Sequence, residues 1–228
     1  MKLKNTGLRD GIYAGIPVFI GYFPIAVTFG LLAASVKITL AETFSFSAII
    51  FAGASQFVGL NMISSGIGAG EIVLTVFLLN FRHFLMSASV SSKATFKKPL
   101  IPVIAFGITD ETFAIASMRQ GNLTESYMLG LNFTSYAGWV IGTLTGFIAG
   151  DFLPLVLQES ISICLYAMFV AILIPAVKKI PGAGAIALCG GICNSLLSYF
   201  AIFSPGWNII ISIIVASAAG TIFLKGEA

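Results

Sequence analysis

Charge is what this sequence has least of. Only 9% of its 228 residues are Asp, Glu, Lys or Arg, against roughly 25% in a soluble domain, which excludes an ordinary soluble globular protein. The net charge of +3 lies at the termini and in short loops, so it reads as topogenic charge and gives no case for nucleic acid as a partner. One histidine and three cysteines leave little for redox or metal chemistry. Cys164, Cys189 and Cys193 all fall inside apolar segments. Cys189 and Cys193 share a helix face, but no His, Asp or Glu lies near them in that segment, so they are expected to pack rather than hold a metal. No Gly-rich loop ending in Lys-Ser or Lys-Thr is present, which excludes a phosphate-cradling loop and ATP hydrolysis by this chain. Neither a cofactor nor a metal is expected. Linkers, charge runs and low-complexity tracts are absent too, so residues 1–228 read as one domain.

What the chain has instead is apolar length. Hydrophobic residues make up 57% of it, and they gather in eight runs at about 12–36, 44–64, 70–90, 100–118, 126–149, 155–177, 183–202 and 206–224. Runs of roughly 17–25 residues suit helices that satisfy their own backbone in lipid, and they exclude the short alternating strands of a membrane barrel. The expected fold is all-α: a polytopic transmembrane bundle with six to eight membrane segments, some broken or re-entrant. Lys2, Lys4 and Arg9 precede the first run as in a signal peptide, but that run is too long and carries Pro24 and Gly30, so it reads as an uncleaved first span.

Topology has two solutions. Eight full spans with a cytoplasmic N-terminus put Lys2, Lys4, Arg9, Arg119, Lys178, Lys179 and Lys225 inside, but leave Lys93, Lys97 and Lys98 outside with Lys37. Three lysines in one outer loop violate the positive-inside bias. Making the 100–118 segment re-entrant, together with one of the first three, leaves six spans and removes the conflict. Either way the expected location is the inner (plasma) membrane.

The polar residues inside these runs are the candidate site. Arg82 lies ten residues before Ser92 and Asp110 ten after Leu100, so at about 1.5 Å per residue both sit ~15 Å deep in a ~30 Å hydrocarbon layer. A charge at that depth costs at least ~2.5–3.5 kcal/mol unless it faces a partner or a cavity. Asn80, His83 and Glu111 lie beside the two. One reading is an ion pair that orders the bundle. The other is a substrate or proton path in which Glu111 or His83 exchanges protons and Arg82 holds a substrate carboxylate. Pro24 is expected to kink or interrupt the first span, where a broken helix would expose backbone dipoles. Ser55 and Gln56 follow the small residues Ala52, Gly53 and Ala54, and Gln56 offers an interhelical hydrogen bond or a ligand contact. The Gly53-Ala54-Ser55 tract lacks the closing glycine of a nucleophile elbow, Phe57 standing in its place. Asn132 and Tyr136, with Trp139, can line a cavity. Gly138, Gly142, Gly146 and Gly150 form one flat face for a close helix contact, inside the chain or with a second subunit.

The tracts Gly21-Tyr22-Phe23-Pro24, Phe51 to Phe57, Leu79-Asn80-Phe81-Arg82-His83 through Ser87, and Thr109-Asp110-Glu111-Thr112-Phe113 resemble the AzlC family, the large subunits of AzlC/AzlD-type branched-chain amino acid exporters. The resemblance covers nearly the whole chain, and the Asn-x-Arg-His and Thr-Asp-Glu tracts are its most specific parts. Gly21-Tyr22-Phe23-Pro24-Ile25 departs from the Pro-Phe-Gly usual there. The resemblance implies export of small hydrophobic amino acids, a small AzlD-like membrane subunit as partner, and the lipid bilayer as surroundings. A secondary transporter driven by the proton gradient, and not an enzyme, is therefore expected. An intramembrane enzyme using His83 with Asp110 or Glu111 lacks a nucleophile motif and a ligand set, and the remaining rival is a structural subunit that moves nothing.

Overall fold

The computed structural model describes residues 7–94, 96–119, 123–150, 170, 173–174, 177–178, 181–201, 203 and 205–223. The expected sixth segment, 155–177, lies largely outside them, as do Cys164, Lys2, Lys4, Lys179 and Lys225. Among the described residues every regular element is helical: α1 (Leu8–Ser35), α2 (Leu40–Ser45) continued by a π-helical turn (Phe46–Ile50), α3 (Ala54–Ser64), α4 (Ala69–Lys93), α5 (Ile101–Phe106), α6 (Asp110–Met118), α7 (Glu125–Gly150), α8 (Pro181–Phe200) and α9 (Pro205–Phe223). The chain is an all-α membrane bundle. Its helices α1, α4 and α8 are each long and apolar enough to cross a bilayer.

These elements fall into two compact units. One comprises Met1–Gln56 with Asn80–Ser162, the other Phe57–Leu79 with Ile163–Ala228. In the second, α8 and α9 pack antiparallel: a Cβ added to Gly190 would sit 3.3 Å from Ala216 Cβ, and one added to Gly220 2.8 Å from Ile186 Cδ1. Asn208 donates to Ser198 Oγ at 3.2 Å near their connection. Cys189 and Cys193 are free thiols on α8, half-buried there.

The first unit is built on α1 and α7. A Cβ on Gly138 would meet Phe19 Cα at 2.9 Å, one on Gly142 the Phe23 carbonyl at 2.7 Å, and one on Gly150 Ala34 Cβ at 2.7 Å, while one on Gly146 would overlap the Val27 carbonyl. From α1, Gly11, Gly15 and Gly30 face Tyr127, Thr134 and Thr143 in turn. The glycine face is thus an internal contact, backbone against backbone. Partners rise together along both helices, so α1 and α7 are parallel. At 28 and 26 residues they measure ~42 and ~39 Å, more than the hydrocarbon thickness.

This pairing fixes the path of the chain between them. Lys93 at the end of α4 donates to the Ser117 carbonyl near the end of α6 at 3.4 Å, and the Lys97 backbone N–H donates to Glu125 at 2.5 Å. Arg119 lies 3.7 Å over the Tyr127 ring, and Tyr127 faces Gly11. A cleft of about 590 Å³ is lined by Ser91, Ser92, Lys93 and Ala94 from one side and by Leu123, Thr124, Glu125 and Ser126 from the other. The end of α4, the start of α5, the end of α6 and the starts of α7 and α1 therefore share one face, here called proximal. Since α5 and α6 both begin and end the excursion there, they form a re-entrant hairpin. α1 ends at the opposite, distal face, where α2 begins after four residues. α4 is one continuous helix of 25 residues, ~37 Å long, that ends proximally. Within the first unit, α2 and its π turn run from the distal face inward to a break at Phe51–Gly53.

The helices break at two points in the first unit. After the π turn the chain passes through Phe51 (φ +43°) and Gly53 (φ +30°) before α3 starts. A left-handed Phe costs about 1–2 kcal/mol, and neighbours offset it. Tyr136 donates to the Ala48 carbonyl at 3.0 Å, filling an acceptor of the π turn. The Ala52 N–H donates to Gln56 Oε1 at 3.1 Å, Gln56 Nε2 donates to Ser47 Oγ at 3.2 Å, and Ser47 meets Thr143 Oγ1 at 2.7 Å. The second break, Gly107 to Thr109, is closed by a reciprocal cap: the Thr109 N–H donates to Thr112 Oγ1 at 2.8 Å and the Thr112 N–H to Thr109 Oγ1 at 3.4 Å. Gly107 is required by space, since a Cβ there would overlap the Asn132 amide, which itself donates to the Ile104 carbonyl at 2.9 Å. Pro24 is not a break. α1 runs through Pro17 and Pro24 without interruption, because Pro24 is exposed on the side away from α7 and its carbonyl accepts the Thr28 hydroxyl at 3.1 Å.

Candidate functional site

The break after α2 and the tip of the α5–α6 hairpin arrive, from opposite faces, at the same level of α1. Tyr22 stands there, 8% exposed. Its ring meets Phe51 of the first tip edge-on at 6.3 Å and Trp139 of α7 at 5.6 Å. Phe51 also lies 5.9 Å from Phe106 and 5.2 Å from Tyr136, and Phe106 lies 5.9 Å from Tyr136. These spacings, edge-to-face for four pairs and tilted at 35° for Phe51–Phe106, are those of a packed aromatic cluster. The Tyr22 hydroxyl reaches the second tip, where it donates to Glu111 Oε2 and its oxygen lies 2.6 Å from Thr109 Oγ1.

On the far side of that tip Arg82 Nη1 meets Asp110 Oδ2 at 2.8 Å. The expected pair therefore forms, yet it is not interior: the two side chains are 44% and 50% exposed within the described chain. A half-exposed ion pair near mid-depth has to face a water-filled cavity or another protein surface, since lipid would leave it unsolvated. His83 is half-buried on the adjoining face of α4. The Asn80 Oδ1 is buried, with no hydrogen-bond partner. Glu111 points to α1, so the two neighbouring carboxylates serve different helices.

Of the other candidate residues, Asn132 and Tyr136 belong to the tips. They help line an apolar groove of about 500 Å³ with Leu8, Ile12, Val103 and Phe106, beginning at the proximal end of α1. Asn132 Oδ1 and Trp139 Nε1 are buried and lack hydrogen-bond partners. Ser55 and Gln56 are buried at the first break and spend their polar atoms closing it, Ser55 Oγ donating to the Ala52 carbonyl at 3.1 Å. Pro24 lies apart, as do Gly138, Gly142, Gly146 and Gly150, which pack on α1. Tyr22, Phe51, Phe106 and Thr109 form the centre, although the sequence reading gave the site to other residues. A signal for Thr109 existed in its spacing to Thr112 after Gly107, a helix-start pattern; the aromatic convergence had none. Among the described residues no group of three or more His, Cys, Asp or Glu could hold a metal ion.

The AzlC protein family matches residues 17–153, which include both breaks, Arg82, Asp110 and all of α7. An "Uncharacterized membrane protein" of Archaeoglobus fulgidus is 34% identical over 84% of this chain and 88% of its own length. The "Inner membrane protein YgaZ" of Escherichia coli is 33% identical over 77% and 75%. The "Branched-chain amino acid transport protein AzlC" of Bacillus subtilis is 26% identical over 74% and 67%. No solved structure matches. With a family match over more than half its length and relatives above 30% identity along most of it, the chain belongs to the AzlC protein family.

Proposed function

We propose that this chain is a secondary transporter that exports branched-chain or related small hydrophobic amino acids, coupled to the proton gradient and working with a small AzlD-like membrane subunit. The observation that carries the reading is the half-exposed Arg82–Asp110 pair beside the level where two helix breaks meet. Broken helices of this kind present unwound backbone to a solute at mid-depth. A guanidinium there suits a carboxylate by two parallel hydrogen bonds. The groove beside Phe106 and Tyr136 suits an aliphatic side chain. Branched-chain amino acid transport is also the printed role of the Bacillus subtilis relative. The subunit expectation rests on the resemblance together with the exposed faces of α4, since the glycine face is used internally. Arg9, Lys93, Lys97, Lys98 and Arg119 all lie at the proximal face, so that face, with the N-terminus, is assigned to the cytoplasm of a plasma-membrane protein.

Counterflow in proteoliposomes tests the reading. Vesicles loaded with unlabelled leucine should accumulate labelled leucine when the chain and its partner are both present, and much less with the chain alone. Chemical conversion of the amino acid would make the protein an enzyme, and equal flux in protein-free vesicles would leave it a structural subunit.

A further inference from the structure

The charges at the meeting point do not balance. Arg82 from α4 is engaged with Asp110, and among the described residues no other cation forms an ion pair there. The second carboxylate, Glu111, receives its hydrogen bond from a neutral donor, the buried Tyr22 hydroxyl of α1. The groups that face Glu111 are therefore Tyr22 on α1, Asp110 beside it on α6, and Arg82 with His83 across from Asp110 on α4. α7 contributes Trp139, whose indole N–H is buried without a partner next to Tyr22. Two acids against one guanidinium leave the formal charge at this level negative, and Glu111 is exposed within the described chain, so a proton can reach it. A proton on Glu111 removes that charge, and its loss restores it.

We infer that Glu111 is the proton-carrying group of the transport cycle and that Tyr22 is its positioning residue, the hydrogen bond between them latching the tip of the α5–α6 hairpin to α1. This rests on the transporter reading above and deepens it by choosing between the two candidates for proton exchange, Glu111 and His83. The geometry favours Glu111 for a physical reason. Ionised, the carboxylate accepts a hydrogen bond from the Tyr22 hydroxyl, whose oxygen also lies 2.6 Å from Thr109 Oγ1, so α1, the helix cap and the acid form one joint. Protonated, Glu111 loses its charge and gains a donor, which weakens the bond from Tyr22 and loosens that joint. Proton binding thereby changes a contact between a re-entrant tip and the helix it leans on, which is the movement alternating access needs. His83 has no hydrogen bond to a described residue; it lies near Asp110 at the same tip but takes no part in the joint with Tyr22.

The test uses the whole transporter, with its partner, in vesicles, and three variants: Glu111→Gln, Tyr22→Phe and His83→Asn. Leucine-for-leucine exchange needs no net proton movement, whereas leucine flux driven by an imposed pH gradient does. Glu111→Gln, which mimics the protonated acid, should lower gradient-driven flux tenfold or more relative to exchange and flatten its pH profile. Tyr22→Phe keeps the acid and the ring packing, and should displace the midpoint of that profile by roughly half a pH unit or more. His83→Asn should leave the profile in place. Gradient-driven flux surviving in Glu111→Gln, a profile unmoved by Tyr22→Phe, or a profile abolished by His83→Asn would each overturn the inference. Absence of exchange in the unaltered protein would instead overturn the transport reading itself.

Discussion

Arg82 and Asp110 are where one residue can decide between holding the bundle and moving a solute. Their meeting was legible in the sequence because both lie ten residues from the same loop, and depth alone pairs residues on consecutive segments. The Tyr22–Glu111 contact was not, since which face of α1 a given residue presents depends on how α7 seats against it, and a tyrosine among aromatics carries no mark. Exchanging the two charges separates the roles of the ion pair. Arg82→Asp alone leaves three carboxylates together and Asp110→Arg alone leaves two guanidinium groups, so both should lower membrane abundance severalfold through a cost of several kcal/mol. The double variant restores opposite charges at 2.8 Å and should return abundance to within about twofold. If Arg82 grips a substrate carboxylate, efflux normalised to protein in the membrane stays at least tenfold down, because the guanidinium now sits on a different helix. Recovery of efflux together with abundance would reduce the pair to scaffolding.

At the scale of the element, the seven apolar runs that fall on described residues all correspond to helices, because burying a backbone in lipid leaves no other regular option for runs of that length. The positions of the breaks were harder to see. Pro24 drew attention, yet a proline on the exposed side of a helix only omits one hydrogen bond, and α1 continues through it. The real breaks lie where a side chain or a cap competes for the backbone: Gln56 and Tyr136 at Phe51–Gly53, Thr109 and Thr112 after Gly107. The glycine face was legible, but its partner was not, since spacing shows a flat surface and not what covers it. α1 covers it, which gives a direct contrast. Gly146→Leu places side-chain atoms where the Val27 carbonyl stands, in a backbone contact that cannot yield without separating α1 from α7, so it should cost well over the 1–3 kcal/mol of ordinary overpacking. Gly21 also lies on α1, but a Cβ there has nothing within 4 Å, and Gly21→Leu should be tolerated. Thermal unfolding in detergent should show a large drop for the first and little for the second. Equal stability of both would mean that the parallel pair is not the frame of the unit.

For the whole molecule, the decisive quantity is how many times the chain crosses between Leu8 and Glu125. Parallel packing of α1 and α7 requires an odd number of crossings between them, which eight full spans and the doubly re-entrant path both satisfy. What separates the two is the level of the 91–98 loop. Eight spans place it on the face opposite the start of α7, whereas Lys97 hydrogen-bonds to Glu125 and Lys93 to Ser117 on the same face. That arrangement also gathers Arg9, Lys93, Lys97, Lys98 and Arg119 on one side and leaves Lys37 on the other, in line with the bias by which cytoplasmic loops hold the cations. Single cysteines can test it in intact cells, after Cys164, Cys189 and Cys193 are replaced by alanine. Lys37→Cys, at the exposed end of α1, should react with a membrane-impermeant maleimide added outside. Lys98→Cys and Ser126→Cys, both exposed at the proximal face, should react only after the cells are permeabilised. The pair at 98 and 126 is the critical one, because the α5–α6 segment is all that separates them. If it re-enters, they share a side whichever way the protein faces. Labelling of Lys98→Cys from outside with Ser126→Cys protected would mean that α5–α6 crosses the membrane, that the tips do not approach Tyr22 from opposite faces, and that the meeting point of Tyr22, Glu111 and Arg82 is not the centre of an alternating path.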